Sequence, residues 1–215
     1  SYYDNLAFSP SFTGLISQDS AGNWVPEISS DLPYPVAVTN NYDGLTSSTD
    51  PNTATVWEIN LRDDVYWHEG YGYTMDVPAE RDVLQVTAEN VAWYYGTLID
   101  DAGPPNPTRG LYQQPFGTDP TKAFIAVDDD TFQVHLANIY ADLFGLFSVD
   151  ILPQHILDPA FDGGFGVGVR ADTTPTPSYD DWDSDDFNQG QRTSGDTTHA
   201  ATIGCGPYIM YPGEN

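Results

Sequence analysis

Val56-Trp57-Glu58-Ile59-Asn60-Leu61-Arg62 is the stretch on which the reading of this chain turns. Trp57, Ile59 and Leu61 fall on one side of an extended backbone, and Glu58, Asn60 and Arg62 on the other. Side chains alternate across a strand, so this period of two predicts a half-buried strand over residues 55–62. Asp63-Asp64 then turns the chain into Val65-Tyr66-Trp67.

A partner for that strand lies further along. Residues 123–136 read as a β-hairpin with Asp128-Asp129-Asp130 in the turn. Phe132, Val134 and Leu136 face one way, and Thr131, Gln133 and His135 the other. Upstream, Leu15-Ile16, the turn-forming Asp19-Ser20-Ala21-Gly22-Asn23 and Trp24-Val25-Pro26 predict a strand–turn–strand. Residues 31–51 are loop-like. Thr87 suits a helix N-cap, with Glu89 in the first turn. Val91, Tyr94, Tyr95 and Leu98 follow at helical spacing, and Pro104, Pro105 and Pro107 close the region. Residues 139–149 are apolar nearly all round apart from Asp142, which predicts a mostly buried helix. From residue 161 to about 200 no periodicity survives. Four glycines (Gly163, Gly164, Gly166, Gly168) lead into an Asp-, Thr- and Pro-rich stretch, and loops of that length are often mobile or functional.

Composition narrows the function classes. The 215 residues are 40% hydrophobic and 13% aromatic, enough for a real core and against disorder. Asp plus Glu number 32 against 6 Lys plus Arg, a net charge of −26. Such a surface repels phosphate backbones and anionic headgroups, so no nucleic-acid partner is expected. The charge fits an acidic secreted domain, or adaptation to high salt, where screening relieves self-repulsion. Cys205 is the only cysteine, so no internal disulfide framework exists. No apolar run is long enough to span a membrane, and no signal peptide or lipid-anchor motif is visible.

Four stretches, in order, resemble the family 5 extracellular solute-binding proteins, the oligopeptide-, dipeptide- and nickel-binding receptors of ABC importers. Phe12-Thr13-Gly14-Leu15-Ile16 with Trp24-Val25-Pro26 is similar to the family's F-x-G-L segment and the strand after it. The strand at Val56–Arg62, running on to Trp67-His68-Glu69-Gly70, resembles W-x-f-x-L-R-x-x-v-x-W-H-D-G. Val86-Thr87-Ala88-Glu89-Asn90-Val91 resembles the family's T-A-x-D-V after an insertion over about residues 71–85. Val127-Asp128 with Thr131-Phe132-Gln133-Val134-His135-Leu136, then Ile151-Leu152-Pro153-Gln154-His155-Ile156-Leu157, is similar to the hairpin and I-L-P-x-H-I-L. Ile203-Gly204-Cys205-Gly206-Pro207-Tyr208 resembles V-G-T-G-P-Y, with Cys205 where Thr is usual.

The resemblance implies an α/β fold: a type 2 periplasmic-binding-protein-like lobe with an additional α/β subdomain. It implies that residues 1–27 and about 200–215 form a partial ligand-binding lobe I, in which about Ser1 to Pro26 and about Thr202 to Tyr211 share one sheet. Residues 28–160 would form the second subdomain and 161–199 a long acidic Gly/Thr/Pro-rich loop. The match covers roughly the first half of a family member, so the closing lobe is expected to be absent from this chain. The implied function is an extracellular or periplasmic receptor, not an enzyme. It would capture peptides or similar solutes for ABC permease subunits, anchored to the membrane through a segment outside this chain. By the F-x-G-L match, Thr13, Gly14 and Leu15 are the candidate ligand contacts. A glycine permits close backbone approach, and it equally marks a turn or bulge. The alternative is a structural cell-surface module derived from such a receptor, self-associating or binding calcium.

Other constellations carry less. His68, His135, His155 and His199 show no zinc-ligand pairing and read as structural, so they give no argument for nickel. Asp181, Asp183 and Asp185 have calcium-loop spacing, but Asp186 stands where the loop needs Gly and Arg192 where it needs Glu. They leave open only a looser Ca²⁺ site beside a solvated acidic loop; no other cofactor is expected. Cys205, between two glycines, reads as a small buried residue rather than a nucleophile.

Overall fold

A computed structural model describes residues 11–69, 74–103, 106–158 and 204–208. Contacts divide the chain into two compact units. One comprises residues 1–13, 64–86 and 151–215, the other residues 14–63 and 87–150.

The second unit holds the sheets. Strands β1 (Ile16–Gln18) and β2 (Trp24–Pro26) form an antiparallel hairpin with Ile16 opposite Pro26. Its turn is set by Asp19, whose carboxylate accepts from the backbone N–H of Ala21 and of Asn23 at 2.8 and 2.9 Å, and Gly22 takes φ 82°. A four-stranded antiparallel sheet follows, ordered β3-β4-β6-β5, from β3 (Tyr34–Pro35), β4 (Val56–Asn60), β5 (Phe124–Ala126) and β6 (Thr131–His135). Register pairs Ile59 with Phe132 and Trp57 with Val134, so the alternation read from the sequence places both apolar sets on one face.

Helix α2 (Ala88–Ile99) packs on that face; α1 (Pro78–Leu84) belongs to the other unit. Thr87 caps α2 through a reciprocal box with Asn90: the Asn90 N–H donates to Thr87 Oγ1 and the Thr87 N–H to Asn90 Oδ1. Tyr95, fully buried on α2, meets Phe124 and Phe132 at centroid distances of 5.6 and 5.9 Å. Helix α3 (Arg109–Phe116) adds Phe116, 5.0 Å from Phe124, and ends at Gly117 with φ 72°. Helix α4 (Pro120–Ala123) leads into β5. The opposite face of the sheet is polar: Glu58 accepts from Tyr34 Oη and from Gln133 Nε2. At its end the loop around Asn40 closes over the strands. Asn40 Nδ2 donates to the Thr55 and Leu136 carbonyls, and the Asn41 N–H donates to His135 Nδ1. His135 is therefore buried although its strand position is on the polar side.

One expectation differs from what is observed. The helix expected over residues 139–149 is only α5 (Leu143–Phe147). Asp142 starts it, and Ile139 lies outside it at 57% exposure, so the apolar run does not form one buried helix. The expected sheet shared by the N-terminal and C-terminal stretches falls largely outside the described residues; among those described, residues 204–208 hold no strand and β1 pairs with β2. Residues 161–199 lie outside the described residues.

The first unit contains α1 (Pro78–Leu84) and α6 (Gln154–Leu157). Helix α1 sits in the insertion after Gly70, with Pro78 in its first turn and Glu80 favourable beside the helix start. It returns the chain to pair Tyr66 with Gln85, and the Trp67 N–H donates to the Leu84 carbonyl at 2.7 Å.

Candidate ligand-facing segment

Gly14 and Leu15 lie in the second unit, locked from two sides. The Leu15 N–H donates to the Phe147 carbonyl at 3.1 Å. The Leu15 carbonyl accepts from the N–H groups of Glu27 and Ser29 and from Ser29 Oγ at 2.8 Å. Leu15's side chain is wholly buried. A Cβ on Gly14 would stand 2.8 Å from the Val149 carbonyl oxygen and 2.9 Å from the Ser148 carbonyl carbon, so glycine is required here by the chain's own backbone. Thr13, in the first unit, is half-buried, and its carbonyl accepts from the Ile151 N–H at 3.1 Å. Of the three candidates only Thr13 offers side-chain surface to solvent.

The first unit holds a second constellation that sequence reasoning took only as motif matches. The His68 N–H donates to the Gly204 carbonyl at 2.8 Å, and the Gly204 N–H donates back to His68 Nδ1 at 3.4 Å. With Nδ1 accepting, Nε2 carries the proton and donates to the Gly206 carbonyl at 2.8 Å. The Gly206 N–H then reaches the Ser11 carbonyl at 2.9 Å. A Cβ on Gly204 would overlap the Ser11 carbonyl oxygen. His68 and the Gly204-Cys205-Gly206 stretch thus meet, with His68 held by backbone groups and Gly204 leaving no room for a Cβ. Burial holds the His68 imidazole below its usual range, opposed by the Gly206 hydrogen bond. Cys205 between the glycines is buried and outside any disulfide.

His155 packs against Trp67 at 6.0 Å between ring centroids, and burial lowers its pKa to about 3. No group of three or more His, Cys, Asp or Glu among the described residues could hold a metal. Asp181, Asp183, Asp185 and His199 lie outside the described residues.

A model of the bacterial extracellular solute-binding proteins, family 5 Middle, matches residues 42–212. The chain belongs to this family. No curated protein matches it. Among solved structures, it is similar to the substrate-binding domain of an oligopeptide ABC transporter from Bacillus anthracis str. Ames. That match has TM-score 0.52 and 15% identity, covering 97% of this chain and 31% of that one. The Escherichia coli murein tripeptide binding protein MppA matches with TM-score 0.51 and 14% identity, over 97% of this chain and 31% of its own. A periplasmic oligopeptide-binding protein from Borrelia burgdorferi matches with TM-score 0.50 and 13% identity, over 74% and 30%. At these identities the likeness speaks to the fold, which is that of the type 2 periplasmic binding proteins. The chain spans 22–31% of the length of such solved relatives. No helix among the described residues is long and apolar enough to cross a membrane.

Proposed function

We propose that this family 5 chain is part of an extracytoplasmic receptor that captures peptides or similar small solutes and delivers them to ABC permease subunits. The family match over residues 42–212 carries the reading. The segment around Thr13 supports it physically. Gly14 and Leu15 are fixed by backbone contacts on both sides, and a recognition segment needs that rigidity to avoid an ordering cost on binding. On this reading Thr13 touches the ligand, while Gly14 and Leu15 hold the segment in place. The comparisons give no support to a self-associating or calcium-binding surface module.

Uptake tests the proposal. Cells with the encoding gene disrupted are compared with intact cells for import of labelled di- to pentapeptides and of nickel. Loss of import of one class, restored by the intact gene and reduced by Thr13→Val, is the expected result. Import of every class at the intact rate would sink the receptor reading.

A further inference from the structure

The second unit contains a cleft of about 570 Å³ that the ligand-facing segment does not use. Trp24 from β2, Trp57 from β4 and the residues leading into α5 build it, chiefly Tyr140, Asp142, Leu143 and Phe144. Trp57 lies on the buried side of β4, and Phe144 stands edge-on to Trp57 at 5.8 Å and to Trp24 at 6.1 Å, fixing three rings in one wall. Trp24, Tyr140 and Phe144 are only half-buried, so each keeps apolar surface for an occupant. The volume lies within the range of about 300–1,000 Å³ typical of small-molecule sites.

The polar part of the lining selects the charge. Asp142 is the one charged side chain in it among the described residues. It stands at the N-cap of α5, yet its carboxylate makes no capping hydrogen bond. Aromatic faces attract a cation through the ring quadrupole, a carboxylate beside them adds Coulomb attraction, and the chain's net charge of −26 draws cations towards it.

We propose that this cleft binds a small organic cation with an apolar body, of the arylalkylammonium kind. Its apolar body lies against Trp24, Tyr140 and Phe144, and its ammonium group lies beside Asp142. This site is separate from the one around Thr13 and does not depend on the receptor reading.

Phenethylammonium is the probe, and 2-phenylethanol, of nearly the same shape without the charge, is the comparison. Both are titrated into the 215-residue chain in 1 M KCl, followed by tryptophan fluorescence and by saturation transfer to the ligand. At that salt charges further apart than about 3 Å are largely screened, so a general attraction to the acidic surface is suppressed. Phenethylammonium is expected to bind at least tenfold more tightly than the alcohol. Asp142→Asn should bring the ratio close to one. Asp129→Asn removes the same charge from outside the lining and should leave the ratio unchanged. Trp24→Leu should weaken both compounds at least fivefold with the circular dichroism spectrum retained. A ratio near one in the unaltered chain, a ratio that survives Asp142→Asn, or no saturation transfer to either compound would overturn the proposal.

Discussion

An alanine at position 14 would put a methyl carbon 2.8 Å from the Val149 carbonyl oxygen, 2.9 Å from the Ser148 carbonyl carbon and 3.0 Å from its oxygen. Ordinary contact begins at 3.4 Å, so the 148–149 backbone would have to move by about 0.6 Å. That backbone is not loose, because the neighbouring Phe147 carbonyl accepts from Leu15 and Phe147 is wholly buried against Tyr95. Overpacking of this kind costs about 1–3 kcal/mol. Gly14 does not have positive φ, so alanine also restricts the unfolded chain and returns about 0.4–1 kcal/mol. The net expectation is a destabilisation of about 0–2.6 kcal/mol with a midpoint of about 1.3 kcal/mol, for which Tm falls by about 3–5 °C in a chain of this length. Differential scanning calorimetry gives the Tm, and amide exchange at Leu15 reports whether its bond to Phe147 opens. A Tm equal to or above that of the unaltered chain, with Leu15 still protected, would refute the claim that Gly14 is there for packing. It would return the glycine to the role of a ligand approach.

Three further outcomes are expected. Acid should destabilise the first unit: His155 stays neutral when folded down to a pKa of about 3, against an ordinary 6.5. The unfolded state therefore binds the extra proton below about pH 6.5, and stability falls by about 1.4 kcal/mol per pH unit from there towards the folded pKa. His68 and His135 are lowered in the same direction by burial, so His155→Gln should flatten the Tm-versus-pH curve between pH 6.5 and 4.5 without levelling it, and an unchanged slope would contradict the assignment. Raising KCl should raise Tm, because screening shortens repulsion within a chain of charge −26 from about 8 Å at physiological ionic strength to about 3 Å at 1 M; a salt-independent Tm would count against adaptation to salt. The 215-residue chain alone should bind di- to pentapeptides no better than micromolar by calorimetry. Enclosed pockets bury about 70–90% of a small ligand, and this chain spans only 31% of a solved relative such as MppA. Sub-micromolar binding by a monomer would show that the site is complete here.

The sheet was legible because its signal is periodic. The alternation that sets Trp57 and Ile59 on one side and Phe132 and Val134 on the matching side is what the observed register pairs. Thr87 was legible as a cap because a hydroxyl before an apolar helical repeat has few other uses, though its partner is Asn90 and the reading singled out Glu89 in the first turn. Helices α1 and α3 were missed because neither has a strong apolar stripe. Helix α1 buries only Leu84, and α3 carries Pro115, a residue that argues against a helix interior. The burial of His135 could not be read from its strand, since the cover comes from the Asn40 loop some 94 residues earlier in the chain.

The site shows the same division between local and distant information. Gly14 could be singled out from the sequence, but two physical readings fit a glycine in a strand, and sequence does not contain the distance that separates them. That distance belongs to residues 148 and 149, which carry no motif of their own. His68 behaves likewise. Its neighbours in sequence say only that it sits after a tryptophan, whereas its tautomer is fixed by Gly204 and Gly206 more than 130 residues away. For His68 the resemblance included both sides of the contact, Trp67-His68 and Gly204-Cys205-Gly206, but as two separate stretches, and for Gly14 it included one side alone. The chemistry lies in their meeting: a glycine whose missing Cβ makes room for a carbonyl, and an imidazole kept neutral because one ring nitrogen must accept while the other donates.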